Sequence, residues 1–281
     1  MLLSRMIALS PLILALPLLL SACAGITKNN ESMKDDLMIN KSPNDNREYH
    51  AFTLENGLQV MLISDPDATK GAAALDVGVG SGSDPAGRQG LAHFLEHMLF
   101  LGTKKYPEAG EYQEYINHHG GSHNAFTTFE HTNYFFDVDA DFLEPALDRF
   151  SQQFVAPLFS EEYVEREKNA VHSEYTSKLR DDSRRFFAVV KKAINPEHPM
   201  SKFAVGNLKT LSDRPGQTIR DDLLRFYEEH YSADRMKLVV YGNQPIQQLT
   251  TWVRDKFSAV QRREVNKTEH PPIFQQDSLP M

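Results

Sequence analysis

The chain has a single cysteine, Cys23, no long basic run and no convincing short-period repeat. One cysteine excludes an internal disulfide and any zinc site built from several thiolates. The missing basic run, with a formal net charge of −8, argues against nucleic acid as a partner, because a phosphate-binding face needs clustered Lys and Arg. What is there is ordinary for a globular protein: 281 residues, 41% hydrophobic and 24% charged. That supports one large domain or two small ones.

The first segment, "MLLSRMIALSPLILALPLLLSACAG", places one positive charge, Arg5, before an apolar stretch that ends in small residues. This is the shape of a secretory signal. It is short for a membrane span, and Pro11 and Pro17 weaken it as a helix. The ending Leu20-Ser21-Ala22-Cys23 resembles the bacterial lipobox, which implies lipidation of Cys23 and a signal peptide over 1–23. Ordinary cleavage after Ala24 is the alternative, since Ala22 and Ala24 fit a small-x-small site. By the same resemblance, Ala24 rather than Asp after the cysteine implies sorting to the outer membrane, facing the periplasm of a Gram-negative bacterium, with a soluble periplasmic protein as the alternative. Residues 24–48 are polar and are expected to form a flexible tether with a reach of roughly 80 Å when extended.

The folded part is expected over 49–262. Two apolar runs flank Asn56-Gly57 within 52–63, a hairpin signal. Residues 72–83 suggest a strand entering a Gly/Ser turn, and 90–102 a helix that Gly102 can stop. A second helix is expected at 111–121, paired strands at 122–140, and helices at 140–155 and 160–179, the last with Ser160 at an N-cap position. Further helix is expected at 182–194 and 218–230, then a buried strand at 236–242 and a helix at about 245–257. The Pro pair and polar content of 263–281 suggest a linker to a further domain.

The stretch "LAHFLEHMLF" (91–100) carries the chemistry. At about 100° per residue, His93, Glu96 and His97 fall within about 100° of arc on one helical face. The other positions are apolar, so the helix should be buried. Burying two imidazoles and a carboxylate costs several kcal/mol unless strong partners are present. A divalent cation is such a partner. Histidines at i and i+4 can both direct a ring nitrogen to one Zn²⁺, leaving the Glu free as a general base. A third ligand is needed. Glu167 and Glu174 stand seven residues apart on one face of the helix at 160–179. Either could bind metal while the other orients a ligand.

The order His-x-x-Glu-His is the inverse of the thermolysin-type motif and resembles the inverzincin signature. The surrounding sequence resembles the insulinase/pitrilysin family of zinc metallopeptidases. In that family a Glu follows the second His after seventy-six intervening residues, and here the residue at that interval from His97 is Glu174. The resemblance implies His93, His97 and Glu174 as ligands of one zinc ion, Glu96 as catalytic base and Glu167 as the acidic residue behind the ligands. It also implies that "GGSHNAFTTFEHTNYFFDV" (120–138) contains a strand on which a peptide substrate adds as a further strand, with Asn124 and Ala125 next to the metal. His118, His119 and His123 carry no motif position and are expected to be exposed, and His131 has no assigned role. The implied fold is α+β, an antiparallel-rich sheet with helices on one face, as in the family's metallohydrolase domain.

The resemblance covers about residues 48–265. Larger members of the family carry about four such domains in two halves that close around the peptide, and shorter ones carry two. The resemblance therefore implies that the chain corresponds to the family's N-terminal catalytic domain. Three readings stay open: the catalytic part of a zinc endopeptidase that needs a C-terminal half or partner chain, a truncated product, and a lipid-anchored binding module or partner subunit. Intact Glu96 favours the first over the last.

Overall fold

The structure is a computed structural model that describes residues 39–265 and 269–275. The leader, Cys23 and residues 24–38 of the expected tether lie outside the described residues, as do parts of the expected linker.

The hairpin expected from the two apolar runs around Asn56-Gly57 forms. Strand β1 (Glu48–Thr53) pairs antiparallel with β2 (Gln59–Ser64). Asn56 also donates to the carbonyls of Phe257 and Val260, both at 2.9 Å, which ties the turn to the far end of the chain. The other strands are β3 (Lys70–Val77), β4 (Ser122–Thr127), β5 (Thr132–Asp139) and β6 (Met236–Gly242). They form a six-stranded sheet in the order β1-β2-β6-β3-β5-β4. Every pairing is antiparallel except β2 with β6. The late strand β6 thus enters at the centre of the sheet, which no local pattern encodes.

Period-two alternation decides which face is covered. Leu62, Val240, Ala73 and Phe136 lie in one row across the sheet, and Val60, Leu238, Leu75 and Tyr134 in the next. All of these are buried. The intervening residues Phe135 and Val239 are more than a third exposed. The strand at 236–242 is therefore half-buried rather than buried, because the helices among the described residues cover only one face.

Those helices are α1 (Leu91–Leu99), α2 (Glu111–His118), α3 (Leu143–Val155), α4 (Glu161–Ser177), α5 (Asp182–Val190), α6 (Ile219–His230) and α7 (Ile246–Phe257). Phe150 and Phe154 of α3 meet Phe136 and Tyr134 edge-on at 5.2 and 5.3 Å between ring centres, a geometry aromatic pairs favour. The helix α1 ends at Leu99, three residues before Gly102. Ser160 stands at the start of α4 but makes no side-chain cap, so that expectation holds for position only. The expected helix at 182–194 stops at Val190 and passes into a 3-10 turn over Lys191–Ala193, and neither has a buried residue.

Two polar devices fix α1. The carboxylate of Asp84 accepts from the N–H groups of Gly90 (2.6 Å) and Ala92 (2.9 Å), satisfying donors that a helix start leaves free. Gly90 itself sits at φ +91°, and an added Cβ would lie 2.2 Å from Gly206 Cα. Only glycine tolerates both. Just before the helix, Arg88 pairs with Asp222 of α6 at 2.6 Å, with both side chains almost fully buried.

Candidate active site

Helix α1 turns most of its surface into the core. Leu91, Ala92, Phe94, Leu95, Met98 and Leu99 are buried. His93 and His97 occupy the arc that faces a cleft of about 1910 Å³. One side of the cleft is the edge strand β4, and the other is formed by α4, α5 and the segment leading to Val205.

The geometry separates the two glutamates that the sequence left equivalent by spacing. Glu174 Oε2 lies 3.4 Å from His93 Nε2, and Glu174 Oε1 lies 3.5 Å from His97 Nε2. Charge-assisted hydrogen bonds are shorter, about 2.7–2.9 Å. Ligand atoms held tetrahedrally around zinc at about 2.0–2.1 Å stand roughly 3.3–3.4 Å apart. The spacing therefore fits the edges of a coordination polyhedron better than a set of ion pairs. The donor atoms of His93, His97 and Glu174 all lie within 4.8 Å of one another. Two imidazoles and one carboxylate are a set that suits zinc with a position left open.

The far side of each ring is already engaged. His93 Nδ1 lies 2.7 Å from the carbonyl of Val205, and His97 Nδ1 lies 3.3 Å from Glu167 Oε2. Such partners fix the tautomer that leaves Nε2 free for a metal. Glu167 thus stands on the far side of His97 from Glu174, and Arg166 bonds its other oxygen at 2.9 Å. Burial raises the Glu167 pKa, but contact with His97 and Arg166 overcomes this and leaves it below the usual carboxylate range. Contact with His93, and the charge of His97 beside it, lowers Glu174 despite partial burial. For His93, burial pulls the pKa down, and Glu174, Glu96 and the Val205 carbonyl more than offset that.

Glu96 is buried on the β4 side of α1. Its Oε2 accepts from the Thr127 hydroxyl. Burial pushes its pKa above the usual value, opposed by Thr127 and the two histidines. A carboxylate whose pKa is moved upward in this way is a stronger base than an ordinary one. Sequence reasoning missed Thr127. The alternation of β4 does contain the signal, since His123, Ala125 and Thr127 share one face and the exposed Phe126 lies on the other. Asp84 was missed too; burial pushes its pKa up to about 7 against the two N–H bonds it accepts.

Asn124 and Ala125 sit on β4 and line the cleft. Asn124 Oδ1 takes the Ala125 N–H at 2.9 Å. Two of the three histidines expected to be exposed are not. His119 packs between Tyr115 and Phe142, with ring centres 4.1 and 4.0 Å away. His123 is half-buried against Phe100 and Tyr112, and that burial lowers its pKa. His118 is exposed. His131 Nδ1 lies 2.8 Å from Asp76 on the open face of the sheet, away from the ligands.

Comparison with known proteins places this geometry in context. Residues 59–202 match the family described as Insulinase (Peptidase family M16), and residues 218–280 match the one described as Peptidase M16 inactive domain. The chain is 49% identical over 245 residues to insulin-degrading enzyme of Homo sapiens, covering 86% of this chain and 24% of that protein. It is 47% identical over 231 residues to protease 3 of Escherichia coli (strain K12), covering 82% and 24%. The crystal structure of pitrilysin superposes with a TM-score of 0.82 at 45% identity, over 85% of this chain and 26% of that one. The chain thus spans about a quarter of the length of these relatives.

Proposed function

The chain belongs to the insulinase family, peptidase family M16, and from that premise we propose that it is the zinc-binding part of an endopeptidase that hydrolyses small proteins or oligopeptides. The observation that carries this reading is the convergence of His93 Nε2, His97 Nε2 and one Glu174 carboxylate while both Nδ1 atoms are tied back. Zinc held by these three residues supplies Lewis acidity, polarising a carbonyl oxygen and lowering the pKa of water towards about 7.

The chain's own residues do the rest. An extended peptide pairs with the free edge of β4 through main-chain hydrogen bonds, displacing the Asn124 oxygen from the Ala125 N–H. This brings a scissile carbonyl beside Glu96. The Glu96 carboxylate takes a proton from the water that attacks the carbonyl carbon. The C–N bond then breaks, and Glu96 passes the proton to the leaving amine. Thr127 holds the carboxylate in position, while Glu167 and the Val205 carbonyl hold the rings.

The test is hydrolysis of a mixed set of peptides by the purified chain with zinc, beside Glu96→Gln. Cleavage should be lost in the variant, by at least about a hundredfold, with zinc content unchanged. Residual cleavage at the wild-type rate would remove Glu96 from its role. From the lipobox-like Leu20-Ser21-Ala22-Cys23 we also propose that a lipid on Cys23 anchors the domain to a membrane. Metabolic labelling with a fatty-acid analogue should mark the chain and fail in Cys23→Ser, and equal labelling of both would sink the anchor.

A further inference from the structure

One wall of the cleft is built of cations. Lys178, Arg184, Lys191, Lys192 and Lys202 all line it. Among the described residues, the only carboxylates lining the same cleft are Glu96, Glu167 and Glu174, each already committed to the metal site. None of Lys178, Arg184 and Lys192 has a side-chain ion pair among the described residues. The chain as a whole carries a formal charge of −8, so this wall runs against the general balance.

The cations lie close to the ligands and to one another. After the two histidines, the charge of Arg184 helps to hold Glu174 ionised. Burial first, and Arg184 second, lower the pKa of Lys191, as expected for neighbouring positive charges without a counter-ion. Lys191 also donates to the Lys202 carbonyl at 2.6 Å, and Lys202 to the Pro196 carbonyl. Those two fix the loop, while Lys178, Arg184 and Lys192 remain exposed with free heads. Arg184, Phe187, Ala188 and Lys191 recur at helical spacing, so α5 turns one coherent face to the cleft.

We infer that this wall selects peptides with Asp or Glu near the bond to be cleaved. A strand added to β4 points every second side chain to the helix-covered side of the sheet. There it meets α4 and α5, where an acidic side chain finds unpaired cations and a basic one is repelled. The inference rests on the peptidase reading for its substrate class, but its physical content is binding.

The experiment measures fluorescence anisotropy of labelled peptide twins on the zinc-loaded Glu96→Gln chain. One twin carries Glu at alternate positions, and the other carries Gln at the same places. At low ionic strength the Glu twin should bind about fivefold to tenfold tighter, and the preference should shrink as salt is added. The double variant Lys178→Gln/Lys192→Gln should erase most of it while leaving the Gln twin unaffected. Should that variant fail to fold, Lys192→Gln on the same wall carries the test. Equal binding of the twins overturns the inference, as does a preference that survives both salt and the substitutions. Equal binding with cleavage of both twins by the unmodified chain leaves the peptidase reading standing. The expected preference with no cleavage of either twin sustains the inference while showing that this chain alone does not turn over, so the two readings fail separately.

Discussion

Thr127 links the edge strand to the base. Its hydroxyl donates to Glu96 and so favours the ionised carboxylate, against a burial that favours the neutral form. Thr127→Val keeps the β-branched shape and removes only the donor. The Glu96 pKa should then rise further, because the charged form loses a partner. A general base works when ionised, so the acid limb of the kcat/KM profile should move to higher pH by about 0.5–1 unit, the equivalent of one lost hydrogen bond. Thr127→Ser should restore it. An acid limb unchanged in the valine variant would show that Thr127 does not tune the base. The same scale shows what spacing can and cannot distinguish. Seven residues put Glu167 and Glu174 on one helical face, but one approaches the Nε2 side of the rings and the other the Nδ1 side. That difference depends on where α4 crosses α1, which no interval in the sequence states.

At the scale of elements, the position of α1 depends on Gly90. Its left-handed φ and its contact with Gly206 bring the helix start against the segment whose Val205 carbonyl orients His93. Gly90→Ala puts a Cβ into backbone and forces an unfavourable φ. The cost should be at least about 2 kcal/mol. Zinc affinity should fall with it, because the two segments must part. A denaturant midpoint and zinc affinity equal to wild type would mean that the contact does not position α1. The hairpin, the ligand-bearing helix and the paired strands were legible because each has a local period matched to burial on one side. The central place of β6, its parallel pairing with β2 and its half-exposure were not legible. They follow from which strands meet across long separations and from the described helices all lying on one face. Ser160 shows the converse: a favoured residue at a helix start can leave its cap unmade when it does not face the free N–H groups.

The whole molecule has a core that does not depend on the metal. Buried side chains from β2, β3, β5 and β6 and from α1, α2, α3, α4, α6 and α7 form one apolar cluster, with Phe52 of β1 and Ala125 of β4 packed against it, and His93, His97 and Glu174 stand at its edge, facing the cleft. Chelation should therefore leave the chain folded, with far-UV circular dichroism unchanged. The ligands nonetheless come from two elements, α1 and α4, and zinc bound only by the folded state must stabilise it. At free zinc of about 100 to 1,000 times the dissociation constant, that stabilisation is about 2.7–4.1 kcal/mol. For a domain of this size it should raise Tm by about 5–15 °C. Glu96→Gln should show the same rise, because Glu96 is not a ligand. Glu174→Gln should lose most of it, since it removes the one group that joins α4 to both rings. A rise equal in all three proteins would mean that zinc binds elsewhere, and no rise in any would mean that the three donors do not form a metal site. The separation of these two variants tests the assignment of ligand and base without requiring turnover, which matters for a chain spanning about a quarter of its relatives.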